Sequence, residues 1–224
     1  MVKIIYKTKD IVIILKPVGL SSQRDEDSTA DALTETAKQL SLLGESTDLY
    51  PVHRLDKVVS GLLVLARTKK SAAELSALVA EDGIGKKYLA VTEGTCSAGV
   101  MEDHLIKNAN LGKASVASPS VKGAKLALLE AFPKATVKTE LGERTLAKIS
   151  LKTGRFHQIR AQLSSRGCPI VGDKKYGSKD YLRRTPALFA YKLDFKLGGE
   201  RITVSELPDL SEYPWNLFSK ELYE

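Results

Sequence analysis

Cysteine is scarce in this chain: Cys96 and Cys168 are the two it has, far apart and at no metal-ligand spacing. That usage predicts a cytosolic protein with reduced, structural thiols rather than a disulfide-built scaffold. Histidine is nearly as rare. His53, His104 and His157 are the full set, none at H-E-x-x-H spacing, so no metal site is expected. No apolar run approaches the ~20 residues that span a bilayer. The longest early run, residues 11–15, is too short for a signal-peptide core and lacks a small-residue cleavage site. Neither a Gly-rich phosphate loop ending in Lys-Ser/Thr nor G-x-G-x-x-G occurs, so nothing supports ATP or NAD dependence. Internal repeats and low-complexity linkers are missing too.

What the chain does have is positive charge, unevenly placed. The formal net charge is +7, yet residues 144–184 alone hold eleven Lys and Arg against two acids, Asp173 and Asp180. The remainder is slightly acidic, and in residues 207–224 only Lys220 is basic. A polarised basic surface usually serves a polyanion, most often nucleic acid. The bland alternative is a solvated lysine-rich face that keeps the protein soluble.

Strand-like runs fall at residues 3–7, 11–15, 62–66, 88–91, 126–131, 146–152, 188–195 and 202–205. Helical patterns cover 30–43, opened by Ser28-Thr29-Ala30-Asp31 as a capping box, then 71–79 and 155–165. Leu33, Ala37 and Leu40 share a face of the first helix. Residues 94–123 are the least regular and read as loop with short strands. Strands outnumber helices without alternating strictly with them. That predicts an α+β fold, a mixed and mainly antiparallel sheet with helices packed on it.

The most informative segment runs from His53-Arg54-Leu55-Asp56 into the apolar run Leu62-Leu63-Val64-Leu65-Ala66, with Ser60-Gly61 read as the turn between them. A carboxylate flanked by cations stands at the mouth of a buried strand. On an extended segment Arg54 and Asp56 project to the same side, whereas His53 is better suited to local packing. A second anomaly lies in the helix at 155–165. Phe156, Ile159 and Leu163 define an apolar face, and Arg160 sits on it. A guanidinium aimed at a core costs several kcal/mol, on the order of 3–5, unless a carboxylate meets it. Asp56 is one natural partner; the alternatives are a structural acid or a stem that snorkels to solvent. Lys86-Lys87-Tyr88 brings cations into a strand that begins with an aromatic, which in a nucleic-acid protein can stack on a base. The turn 168–177, with Lys174 and Lys175, reads as a loop that grips a phosphate backbone.

These segments together resemble the RluA-like family of pseudouridine synthases. The opening Lys16-Pro17-Val18-Gly19-Leu20, the block His53-Arg54-Leu55-Asp56 with Ser60-Gly61-Leu62-Leu63, the block Lys86-Lys87-Tyr88-Leu89-Ala90, and the closing Thr153-Gly154-Arg155-Phe156-His157-Gln158-Ile159-Arg160 follow one another as in that family. Val59 and Gln162 depart from its usual residues. The resemblance implies a pseudouridine synthase fold, one catalytic domain over residues 1–224 without the S4-type RNA-binding module of many relatives, and a cofactor-free isomerisation of uridine in rRNA or tRNA. It implies Asp56, Arg160 and Tyr88 as catalytic residues, and Arg54, His53, Lys86, Arg155, Lys174 and Lys175 as RNA contacts. The target base would be flipped from its stack. A cytoplasmic monomer with no metal, nucleotide cofactor or membrane is expected. A non-catalytic RNA-binding protein of the same fold is the alternative. A DNA-reading helix is a weaker one, since the third helix offers only Gln158 and Gln162 as base readers.

Overall fold

Eleven strands and three α-helices form among the described residues, which are 2–24 and 30–223 of this computed structural model. In chain order they are β1 (Lys3–Lys7), β2 (Ile11–Lys16), α1 (Ala32–Leu42), β3 (Tyr50–Pro51), β4 (Ser60–Ala66), α2 (Lys69–Ala80), β5 (Gly85–Glu93), β6 (Gly99–Asn108), β7 (Lys113–Ala117), β8 (Lys125–Thr139), β9 (Gly142–Leu151), α3 (Gln158–Ser165), β10 (Leu188–Leu197) and β11 (Glu200–Ser205). The chain folds into two compact units, Met1–Gly85 with Ala190–Glu206 and Lys86–Phe189 with Leu207–Glu224. The expected mixed, mainly antiparallel α+β architecture is the one observed. No helix among the described residues is long and apolar enough to cross a membrane.

In the first unit the strand order is β1-β2-β4-β10, with β3 on β4 and β11 on β10. β4 carries apolar side chains on both faces and is buried from Gly61 to Ala66, as its unbroken apolar run requires. Ile11, Ile13, Leu62, Val64 and Leu75 form the centre of the core, with Leu193, Phe195 and Ile202 from β10 and β11. Each such side chain contributes about 1.5–3 kcal/mol when fully buried. Gly61 is required where it stands. A Cβ there would lie 2.4 Å from the backbone N and O of Ala190, and its φ is +127°. Ser60 and Gly61 therefore belong to β4; the turn is at residues 56–59, closed by Val59 N–H donating to Asp56 O at 3.0 Å.

The second unit has the order β5-β9-β8-β6-β7. Its ladders β5–β9, β9–β8, β8–β6 and β6–β7 are all antiparallel. Residues 94–123, read as irregular, contain the paired strands β6 and β7. β7 lies at the end of its unit's strand order, where half-exposed polar strands with lysines are the norm and leave a weak apolar signal. Cys96 and Cys168 are buried free thiols of this unit, donating to Ser97 O at 3.7 Å and to Leu163 O at 3.3 Å respectively.

The helices differ in detail from the sequence pattern. Asp31 caps α1, its Oδ1 accepting Thr34 N–H at 2.9 Å; the Ser28-Thr29 part of the expected box lies outside the described residues. The buried stripe of α1 is Ala32, Thr36 and Leu40 rather than Leu33, Ala37 and Leu40. In α2 a capping box does form, between Thr68 and Ser71. α3 is not amphipathic: every residue from Gln158 to Leu163 is buried.

Candidate functional site

Asp56 sits half-buried at the turn into β4, and the backbone on either side of it is fixed. Ser22 Oγ accepts Leu55 N–H at 2.9 Å and donates to Leu55 O at 2.8 Å. On the other side Gly19 N–H donates to Lys57 O at 2.8 Å. The segment that supplies both clamps is itself tied by Lys16, whose Nζ donates to Pro17 O at 3.0 Å and Leu20 O at 2.7 Å. Lys16 ends β2 directly across from Gly61 of β4. It has no exposed surface. Burial pushes its ammonium down to about 8, against the pull of the Asp56 charge, which favours the protonated form. A buried lysine and a half-buried aspartate thus form an electrostatic couple within the first unit. The sequence alone shows no role for Lys16, because a charged end to an apolar strand reads as a solvent-facing terminus.

The neighbours of Asp56 divide in two. Arg54 is exposed. His53 is used by the fold: its Nε2 accepts Val64 N–H at 3.2 Å and fastens the loop to β4.

Arg160 in the second unit does point inward, and a structural acid meets it. Its Nε donates to Asp173 Oδ2 at 2.6 Å and its Nη2 to Asp173 Oδ1 at 2.8 Å, a two-point ion pair with 5% and 1% of the side chains exposed. Asp173 is aligned by its turn, where Tyr176 N–H and Ser178 N–H donate to its carbonyl at 2.9 and 3.1 Å. Gly172 makes that turn possible, since a Cβ there would stand 2.4 Å from Thr185 O at a φ of +81°. The Arg160 guanidinium also lies 4.8 Å over the Tyr176 ring. Tyr176 Oη accepts Ala114 N–H at 2.8 Å and meets His157 Nδ1 at 3.0 Å.

Tyr88 and Lys86 lie on one face of β5, 6% and 7% exposed, and Lys87 on the other face is open to solvent. Lys86 is therefore an interior residue, and the exposed cation of that pair is Lys87, which was not among the expected RNA contacts. Arg155 is exposed, with Nε donating to Leu126 O at 2.8 Å. Lys174 donates to Asp180 O, and Lys175 donates to Gly112 O at 3.1 Å, so both ammoniums brace loops from an otherwise exposed turn. Gln158 and Gln162 are 3% and 0% exposed, which removes α3 as a base-reading helix.

A sequence model of the family described as RNA pseudouridylate synthase matches residues 10–165. The chain is 32% identical over 215 residues to an uncharacterized RNA pseudouridine synthase of Haemophilus influenzae, covering 95% of this chain and 90% of that protein. It is 31% identical over 215 residues to the ribosomal large subunit pseudouridine synthase C of Rickettsia felis, covering 92% and 67% respectively. Among solved structures, human RNA pseudouridylate synthase domain containing 4 superposes with a TM-score of 0.76 at 23% identity, covering 93% of this chain and 89% of the other. At that identity the likeness is one of fold.

Proposed function

The chain belongs to the RNA pseudouridylate synthase family, and from that premise we propose that it isomerises uridine to pseudouridine in a ribosomal or transfer RNA. The observation that carries the reading is the doubly clamped Asp56, one carboxylate with its flanking peptides held by Ser22 and Gly19 and with the buried Lys16 ammonium acting on it. A group held in this way loses little entropy on meeting a substrate. In the proposal Asp56 is the catalytic carboxylate, Tyr88 stacks on the target base and Arg160 is the catalytic cation, with Arg54 occupying the gap left by the flipped nucleotide. Flipping costs a few kcal/mol, about what a stacked aromatic and new phosphate contacts return. Arg155, Lys174 and Lys175 are the proposed backbone contacts, whereas His53 and Lys86 serve through the fold. Both units would act as one catalytic domain, in a cytoplasmic monomer that needs no cofactor.

The test is a comparison of RNA from cells with and without the protein, by carbodiimide-adduct primer extension, alongside Asp56→Asn. The expected result is a pseudouridine stop absent from the deletion strain, restored by wild type and not by Asp56→Asn, which still binds RNA and folds. Identical maps in all three strains, with no uridine converted by purified wild type, would leave the RNA-binding alternative in its place.

A further inference from the structure

The face of the second unit formed by β6, β8 and the loop before α3 holds a hollow in which Arg155, already proposed as a backbone contact, is joined by Lys107 and Lys125, which have no role so far. It measures about 250 Å³ and is lined by Lys107, Lys125, Arg155 and Phe156, with Gly123 and Gly154 at its edges and no acidic side chain in its wall. The three cations come from three separate elements. Leu105 of β6 pairs with Lys125 of β8, so Lys107 and Lys125 are diagonal neighbours across that ladder, roughly 7–8 Å apart. Cations gathered in this way without a counter-charge repel one another, and an arriving anion relieves the repulsion.

The site is also rigid. Lys107 Nζ stands 4.8 Å over the Phe156 ring. Phe156 is stacked on His157 with 3.8 Å between centroids, and His157 is held by Tyr176 at 3.0 Å. The Arg155 guanidinium is fixed through Nε on Leu126 O, and among the described residues its terminal nitrogens take no further bond. A Cβ at Gly123 or Gly154 would meet nothing within 4 Å, so the rim of the hollow is open at both places; Gly123 is glycine for its backbone, at a φ of +89°. The positive run continues along the β6–β7 hairpin with Lys113, 4.9 Å over the Tyr176 ring, and with Lys175 on the carbonyls of Leu111 and Gly112. One small anion could engage only part of this series; successive phosphates of one strand could engage all of it.

We propose that this hollow binds the phosphodiester backbone of the RNA substrate away from the reacting uridine, with Lys107, Lys125 and Arg155 contacting non-bridging phosphate oxygens. The assignment of the polyanion as RNA rests on the pseudouridine synthase reading. The decisive variant is Lys107→Glu/Lys125→Glu, compared with Lys138→Glu at the far end of the 15-residue strand β8, on the order of 40 Å away. Lys107→Ala/Lys125→Ala serves if charge reversal unfolds the hairpin. Each is titrated with a labelled structured RNA by fluorescence anisotropy across a salt series, and assayed for uridine conversion.

The double variant should bind on the order of tenfold more weakly near 0.1 M salt, with the slope of log Kd against log salt smaller by about one to two. Its loss in turnover should fall on KM rather than kcat, while Lys138→Glu tracks wild type. A Kd and slope equal to those of Lys138→Glu overturn the proposal, and so does RNA affinity that is untouched while inorganic phosphate binds to wild type and not to the double variant. Unimpaired conversion by the double variant would sink this site and leave the enzyme standing. Lysine-dependent RNA binding with no conversion by wild type would do the reverse.

Discussion

Lys16 has no exposed surface, yet its ammonium ties down, through Pro17 O and Leu20 O, the segment whose Gly19 and Ser22 clamp the peptides beside Asp56. Its titration gives that arrangement a signature. The folded-state value is about 8, and the unfolded chain returns it to about 10.4. Below about 8 both states hold the proton and stability does not change with pH. Between the two values the unfolded state binds more protons, so stability rises with pH, by about 3 kcal/mol in total. Wild type minus Lys16→Met, measured by urea unfolding at stepped pH from 7 to 10.5, should show that rise; a flat difference would mean that the ammonium is not desolvated. Gly61 is the other position where one residue decides the local fold. Gly61→Ala must relieve a 2.4 Å approach to the Ala190 backbone at a φ of +127°. The expected loss is at least about 3 kcal/mol, visible as a drop in Tm; a shift of a degree or two would show that β10 yields.

At the scale of the element, α3 and the turn after it form one unit through Arg160 and Asp173. Arg160→Met strands a carboxylate that is 1% exposed, at about 3–5 kcal/mol. Arg160→Met/Asp173→Asn should recover most of that stability, because the uncompensated charge is gone. Turnover separates the roles. If Arg160 is catalytic, the double variant folds and binds RNA but stays inactive; if conversion returns with stability, the arginine acts only through the fold. The inward arginine could be read from the sequence, because spacings of three and four fix which side chains share a helical face. Its structural partner could not, because Asp173 comes into line only through the turn that Gly172 permits. The same division runs through the strands. β2, β4 and β10 announced themselves by apolar runs that must be buried, whereas β6 and β7 carry half-exposed polar side chains and left no such trace. At the candidate site Asp56 stood out by its flanking charges, while Ser22 did not, since it acts on a backbone 33 residues away, nor did Lys16, whose burial and turn contacts to Pro17 and Leu20 leave no mark in composition.

For the whole molecule, the net charge of +7 says less than the place of each cation. The basic window at 144–184 includes Arg144, 2% exposed, whose Nη2 donates to Asp180 at 3.0 Å, and Arg160, paired with Asp173. Arg166 pairs with Asp103 at 2.7 Å. Burial works against a charged Asp180, but hydrogen bonds from Tyr213 and Arg144 outweigh it and hold the carboxyl below its usual range. Counting charges along a sequence cannot separate such internal pairs from a surface, whereas Lys107, Lys113 and Lys125 lie outside the window and on an open hairpin face. The two classes respond differently to salt. A cation that meets phosphate releases counterions, so its loss lowers the slope of log Kd against log salt by about 0.7 for single-stranded RNA. A cation locked to an interior carboxylate releases none. Arg144→Met should therefore lower the Tm by several degrees, corresponding to a loss of about 3–5 kcal/mol, and leave the salt slope of RNA binding at the wild-type value. Lys107→Ala should do the opposite, with an unchanged Tm and a shallower slope. A shallower slope for folded Arg144→Met would place that arginine against RNA and return the window, rather than the hairpin face, as the seat of binding.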